Sequence, residues 1–428
     1  MPENIKEKKR ISTLISLILA GEAVFFLPFV LARIFRPTLL AVFEITNTEL
    51  GTYFSIYGIV AMVCYIFGGT LADRFSARNL MAIALWLTSL GGLIMAWLPS
   101  SSIMTALYAF WGFTTIFLFW AALIRATREW GGSDFQGRAF GWLEGGRGGT
   151  AAIMGTIAFL LFSWFTVDIS SGVVARQGIH PFQIVVLVMS GIIFISGCLI
   201  WFLVPKTATS SKSKPTLVAI QRVIKIIRMP TIWMLAIMIV CGYVGYKITD
   251  DFSLYVNEVL GFSEVSAAGI GTAALWIRAF VAILAGYLAD RLNHVKVIIV
   301  CYAITIGSGL LIGFGILNQL TGLIFLNLTL TAIGIYGVRA LYFAIMKEAK
   351  IPLGYTGTAV GIVSFVGFTP EVFMSPWMGH LLDKYPGATG HQYVFLILAL
   401  FAFFGLVTSL LFRLNEKNAG TKKNQQEE

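Results

Sequence analysis

The chain has 428 residues, of which 57% are hydrophobic and only 12% charged, with mean hydropathy +0.82 and a formal net charge of +10. A water-soluble domain carries about 25% charged residues. Half that fraction cannot cover a soluble globule, so the composition excludes one and points to the lipid bilayer.

In chain order, Lys6, Lys8, Lys9 and Arg10 lead into an apolar stretch longer than a signal-peptide core, so no cleavable leader is expected. Spans are predicted near 12–42, 48–72, 79–98, 102–125, 138–165, 182–204, 230–256, 264–289, 296–317, 320–346, 356–380 and 392–413. Runs such as Ile184–Leu203 and Tyr393–Phe412 are long enough, at about 1.5 Å per residue, to cross a hydrocarbon core about 30 Å thick. The longest polar interruption, 206–229, begins as a flexible Ser/Lys/Thr linker and ends as TLVAIQRVIKIIRM. There apolar residues alternate with Arg222, Lys225 and Arg228, the pattern of a short helix lying on an anionic membrane face. The expected organisation is an N-terminal six-helix bundle (1–205), that linker, a C-terminal six-helix bundle (230–413) and a tail (414–428).

The links between spans alternate between basic and nearly neutral. The N-terminus, the even-numbered links and the C-tail, counted with the bases Arg125, Arg138, Lys296 and Arg413 at the span edges, hold 23 of the 31 Lys and Arg. This asymmetry predicts cytoplasmic termini and an even number of helices; the surplus orients the chain and no nucleic-acid partner is expected. Cys64, Cys198, Cys241 and Cys301 all lie in apolar runs without metal-ligand spacing, and the four histidines are scattered. No metal site, cofactor or disulfide framework is expected.

The two halves repeat. Gly69-Thr-Leu-Ala-Asp73-Arg74 after the second span recurs as Gly286-Tyr-Leu-Ala-Asp290-Arg291 after the eighth, and Gly137-Arg-Ala-Phe-Gly141 is echoed by Gly357-Thr-Ala-Val-Gly361. The spacing is about half the chain in both cases, as duplication of a six-helix unit requires. The first pair resembles the G-x-L-a-D-R-x-G-r-[RK] loop signature of the major facilitator superfamily, with Arg78 and Lys296 as the closing bases. Both copies lack the second Gly. On this resemblance the chain is identified as a member of that superfamily over essentially its whole length. Its more distant likeness is to the organophosphate/phosphate antiporter branch or to a bacterial group of YihN type. The resemblance implies an all-α membrane fold of twelve helices in two pseudo-symmetric bundles, with no enzymatic activity. It also implies a gating role for Asp73, Arg74, Asp290 and Arg291; the plain alternative is a hairpin whose charges only mark the cytoplasmic side.

An ionisable residue inside a span costs about 2.5–3.5 kcal/mol on insertion scales, so each calls for a reason. The spans carry Glu22, Arg33, Arg36, Glu144, Arg147, Lys247, Asp250, Asp251, Arg278, Arg339 and Glu371. Six are basic and five acidic, so most can be paired. The resemblance assigns the first, fourth, seventh and tenth spans to a substrate cavity, which makes Arg33, Lys247, Arg339 and Tyr246 the substrate-binding candidates. Guanidinium forks and a lysine suit a phosphate or carboxylate. Glu22, Glu371 and Asp250 are the coupling candidates, because a carboxyl in a low-dielectric site can load and release a proton. Glu144 and Arg147, at i and i+3, are expected to pair, and Arg36 and Arg125 to reach the interfaces. Gly141, Gly145 and Gly149 form a smooth stripe expected to let another helix approach.

The expected function is secondary active transport of a small polar, anionic solute (an organophosphate, sugar phosphate or organic acid) by alternating access. The drive would be a proton gradient or exchange against a counter-anion. A proton-coupled sugar symporter, a drug exporter and a transporter-like solute sensor are the alternatives. The expected partners are the bilayer, the solute and the coupling ion, with the chain acting as a monomer.

Overall fold

The computed structural model describes residues 3–131, 136–170, 180–206, 224, 226–317, 320–342, 344–346 and 356–427. Among the described residues the secondary structure is helical throughout. The first part runs α1 (Glu3–Phe25), a π-helical turn (Phe26–Val30), α2 (Leu31–Ile34), α3 (Arg36–Phe43), α4 (Asn47–Arg74), α5 (Ala77–Ala96) and α6 (Ser101–Gly112). A second π-helical stretch (Phe113–Trp120) leads into α7 (Ala121–Gly131), followed by α8 (Gln136–Ser170) and α9 (Pro181–Leu203). The later elements are α10 (Pro230–Ile248), a 3-10 turn (Thr249–Asp251), α11 (Phe252–Glu258), α12 (Glu264–Leu292), α13 (His294–Gly313), α14 (Thr321–Leu341), α15 (Thr356–Gly367), α16 (Pro370–Lys384) and α17 (Ala388–Glu427).

Ten helical runs among the described residues are long and apolar enough to cross a membrane. The other two expected spans fall on α4 and on the pair α15–α16. Pro370, which cannot donate to the ladder, follows a break after Gly367, so this span is two helices. Local chemistry sets several other starts. Thr46 and Glu49 cap each other's backbone N–H at the head of α4, and Pro181 and Pro230 occupy the first turns of α9 and α10. Large apolar side chains such as Phe202, Trp164 and Ile283 are mostly exposed, which in water would drive aggregation and in a bilayer faces lipid. The predicted amphipathic helix lies largely outside the described residues; of it, Ile224 and 226–229 are described. The backbone of α17 continues through the predicted tail.

By contact the chain divides into two compact units. The first contains Met1–Ser213 and Phe252–Ala279, and the second contains Lys214–Asp251 and Phe280–Glu428. Residues 252–279 join the first unit because α11 and the first half of α12 pack on α2, α3 and α8. Gly271 makes this possible: a Cβ there would stand 2.9 Å from Ile34 Cα. Ser253 Oγ donates to the Arg33 carbonyl at 3.0 Å, and Thr38 Oγ1 donates to Glu264. The core of the first unit is built on Trp111, Tyr108, Tyr53 and Phe54, and that of the second on Tyr302, Ile298, Leu235 and Val338.

Candidate functional site

In the first unit, the first span loosens at Pro28, where the ladder slips into a π turn. One turn earlier, Glu22 accepts from Arg278 Nη1 at 2.9 Å and lies 3.3 Å from Arg147 Nε. Arg147 also donates to Glu144 at 2.8 Å, the pairing predicted from their spacing. Its guanidinium lies over the rings of Phe25 (5.6 Å) and Trp120 (5.4 Å). Glu22, Arg147 and Arg278 are all buried. Two acids and two bases form this set, so its formal charges cancel. Glu22 thus sits in an ion network; its pairing with Arg278 crosses 256 residues of sequence and left no local signal.

One arginine departs from expectation. Arg36 does not reach an interface: it is 1% exposed, and its Nε and Nη2 both donate to Asn47 Oδ1, at 3.1 and 2.9 Å. The sharp turn between α3 and α4 brings Asn47 under the guanidinium. Arg125 is partly exposed; it pairs with Glu129 at 2.8 Å and donates to the Ala72 carbonyl, tying α7 to the end of α4. Arg33 is buried in the first unit at 1% exposure.

The second unit brings together most of the other predicted residues. Lys247 Nζ lies 3.0 Å from Glu371 Oε1 and 3.2 Å from Asp250 Oδ2. Glu371 is in the first turn of α16, placed there by the break at Pro370, and its second oxygen accepts from the Tyr243 hydroxyl. Tyr243 leads to Arg339, whose guanidinium stands 5.9 Å from that ring and 3.6 Å from the ring of Tyr246. Tyr336 and Phe368 extend the aromatic group. Lys247, Asp250 and Glu371 are buried, whereas Tyr243, Tyr246 and Arg339 are half-buried. The geometry is a half-open aromatic and cationic face over a buried lysine with two carboxylates. Asp251, beside Asp250, turns to another helix, where its Oδ2 lies 2.7 Å from His391 Nδ1. The scattered histidines gave no hint of that pair.

At the loop motifs, the structure shows how the turns manage without the second Gly. Asn293, at that position in the second copy, adopts φ +95°, and its side chain accepts from the N–H groups of Val295 and Lys296. Asparagine tolerates positive φ better than most residues and also caps the helix. In the first copy Ser76 passes through extended backbone instead. Arg74, Asp290 and Arg291 are exposed at the helix ends, with Arg291 over the Tyr287 ring at 4.3 Å; the Asp73 side chain lies outside the described residues.

The glycine stripe on α8 does not pack as expected. Among the described residues, a Cβ at Gly141, Gly145 or Gly149 would meet nothing within 4 Å. The close approaches lie around the helix at Gly146, against Ile18, and at Gly155, against Leu275. A four-residue repeat fixes a face without saying what that face meets.

An all-helical chain with many membrane-length helices and buried ion networks within its spans is a multi-pass membrane protein built around charged side chains. Residues 14–370 match the Major Facilitator Superfamily, and the chain belongs to it. It is a secondary transporter and not an enzyme. The chain is 29% identical over 380 residues to inner membrane protein YqcE of Escherichia coli, covering 86% of this chain and 87% of that one. It is 27% identical over 420 residues to inner membrane protein YihN of the same organism, covering 94% and 95%. Like them by name, it is a multi-pass inner-membrane protein. Two solved structures share the fold. One is a bacterial homologue of the human lysosomal transporter Spinster, inward-facing and unoccupied (TM-score 0.71, 15% identity, 97% of this chain and 99% of that chain). The other is the nucleoside transporter NupG (TM-score 0.70, 14% identity, 95% and 99%).

Proposed function

We propose that the chain is a proton-coupled transporter of a small anionic solute, working by alternating access, with Glu371 as the proton carrier and Arg339 as the solute's first contact. The observation that carries this reading is the one lysine placed between two buried carboxylates. Lys247, Asp250 and Glu371 together hold a formal charge of −1. A proton on Glu371 neutralises the three and weakens the hold on Lys247. With that proton in place, Lys247, Arg339 and Asp250 sum to +1, the charge that receives a monoanion. Loading a proton therefore prepares the site for the anion, and the anion's arrival stabilises the proton, which is the reciprocity coupled transport requires. The half-buried Tyr246 and Arg339 offer an aromatic wall and a bidentate fork.

Two-step screening tests this. A thermal-shift panel of sugar phosphates, carboxylates and neutral sugars on purified protein identifies the solute, and uptake into proteoliposomes under an imposed pH gradient follows. Accumulation of an anion that collapses when the gradient is removed supports the reading. Accumulation of a neutral sugar rejects the anionic solute, and binding without flux favours a sensor.

A further inference from the structure

We propose that a groove between α16 and α17, within the second unit, binds an anionic phospholipid, with one acyl chain along the groove and the phosphate at Lys384. The chain reverses after Tyr385, where Gly387 adopts φ +73°, and α17 returns alongside α16. Side chains about one helical turn apart then form two walls, with Trp377, Leu381 and Tyr385 on one side and Tyr393, Ile397 and Leu400 on the other. The groove between them holds about 360 Å³ and is open along its side. Small-molecule sites hold about 300–1,000 Å³. Trp377, Tyr393 and Leu400 are 41%, 41% and 50% exposed, so in a membrane protein the opening faces hydrocarbon. From Tyr385 to Trp377 the wall runs about 12 Å, close to the depth of one leaflet, which is half of a core about 30 Å thick. At the deep end Trp377 stands edge-on to Phe401, with ring centres 6.5 Å apart.

The shallow end supplies the headgroup contact. Tyr385 and Tyr393 meet edge to face with ring centres 5.0 Å apart, and Lys384 Nζ lies 5.4 Å from the Tyr385 ring centre. Lys384 is exposed and ends α16 where the chain turns back, which places it at a membrane face. Tyrosine rings suit the headgroup level, and a lysine there attracts anionic lipid. Lys384 follows Trp377 by two helical turns and so lies on the groove's side of α16. Asp383 falls about 200° around the helix from Leu381, on the opposite side. The result is one cation at the mouth of an apolar trough of leaflet depth. That cation favours a phospholipid over a second copy of the chain, whose lipid-facing helices would match the trough alone.

The test needs no transported solute. The full chain is placed in phosphatidylcholine nanodiscs containing a trace of photoactivatable lipid, either phosphatidylglycerol or phosphatidylcholine with the same diazirine-bearing acyl chain. After irradiation, peptide mass spectrometry locates the label. The expected result is that the phosphatidylglycerol probe labels residues 377–400 about fivefold more than the phosphatidylcholine probe does, the preference one lysine near the surface confers. Lys384→Gln, a change at an exposed position, is expected to bring the two probes level. Ile397→Trp, which fills the trough, is expected to lower labelling by both. Equal labelling of the groove by the two probes in the wild type would overturn the proposal. So would a preference for phosphatidylglycerol that survives Lys384→Gln. A groove protected from both probes, in nanodiscs whose mass shows paired chains, would give this face to a second copy and overturn it as well.

Discussion

Arg278 Nη1 donates to Glu22 Oε1 at 2.9 Å, with both side chains at most 8% exposed. Arg278 is on α12 and Glu22 on α1, so this pair is one of the polar ties holding the 252–279 segment in the first unit. Removing the shared acid leaves two buried guanidiniums, and breaking such a pair costs about 3–5 kcal/mol. Glu22→Gln is therefore expected to lower stability more than Arg278→Gln, which leaves Glu22 with Arg147. Thermal unfolding in detergent gives the single losses, and the double variant gives the coupling, expected at about 0.5–3 kcal/mol. Purely additive losses would mean that the two groups do not sense each other.

How much of this was legible in the sequence depends on how far apart the partners lie. Span positions follow from hydropathy, and the Glu144–Arg147 pair follows from helix periodicity, because both are local. The loop motif announced the fold but not its turn: Asn293 at φ +95° is a glycine substitute that becomes visible only with dihedral angles. Glu22–Arg278 and Asp251–His391 are separated by 256 and 140 residues. Nothing in a span's own pattern says which other span it will face. The same gap misdirected Arg36, whose partner Asn47 reads from sequence as an unremarkable loop-edge residue.

Variants at Glu371 and Lys247 separate the proposed coupling role from stability. Glu371→Gln keeps the shape and an acceptor for Tyr243 but removes the proposed proton site. Proteoliposomes containing it are expected to exchange solute across the membrane while losing accumulation driven by a pH gradient. Lys247→Gln is expected to behave worse, because Asp250 and Glu371 would be left buried without their shared cation, a loss of about 3–5 kcal/mol. Adding Glu371→Gln to Lys247→Gln is expected to recover part of the thermal stability. Gradient-driven accumulation that survives Glu371→Gln would remove Glu371 from the coupling role. The contribution of Arg33 is read separately, as loss of solute binding in Arg33→Gln.

His180 gives a pH dependence outside the spans. It caps α9: its Nδ1 accepts from the Phe182 N–H at 3.2 Å, which only the neutral ring can do. Burial lowers its pKa from the ordinary 6.5, against a smaller opposing pull from Glu264. A folded value below the unfolded one means the unfolded end takes up the proton first as pH falls. The cap is at full strength above about pH 6.5 and weakens as pH drops from there toward the folded value. Amide exchange at Phe182 is expected to quicken over that window in the wild type. His180→Asn caps without titrating, so its profile should be flat; a slope that persists in that variant would place the effect elsewhere.

Two helical glycines should respond to alanine with opposite sign. At Gly271 a Cβ would stand 2.9 Å from Ile34 Cα and 3.0 Å from the Arg33 carbonyl oxygen, both backbone atoms that cannot swing aside. Overpacking of this kind costs about 1–3 kcal/mol. At Gly145 a Cβ would meet nothing within 4 Å among the described residues, so alanine there gains helix propensity of about 0.5–1 kcal/mol without a clash. Thermal unfolding of Gly271→Ala and Gly145→Ala in the same detergent measures both. The expected order is Gly145→Ala above wild type and Gly271→Ala below it. A loss at Gly145 would show that the open face of α8 is covered by another helix in the bilayer, returning the Gly141–Gly145–Gly149 stripe to the packing role its spacing suggested.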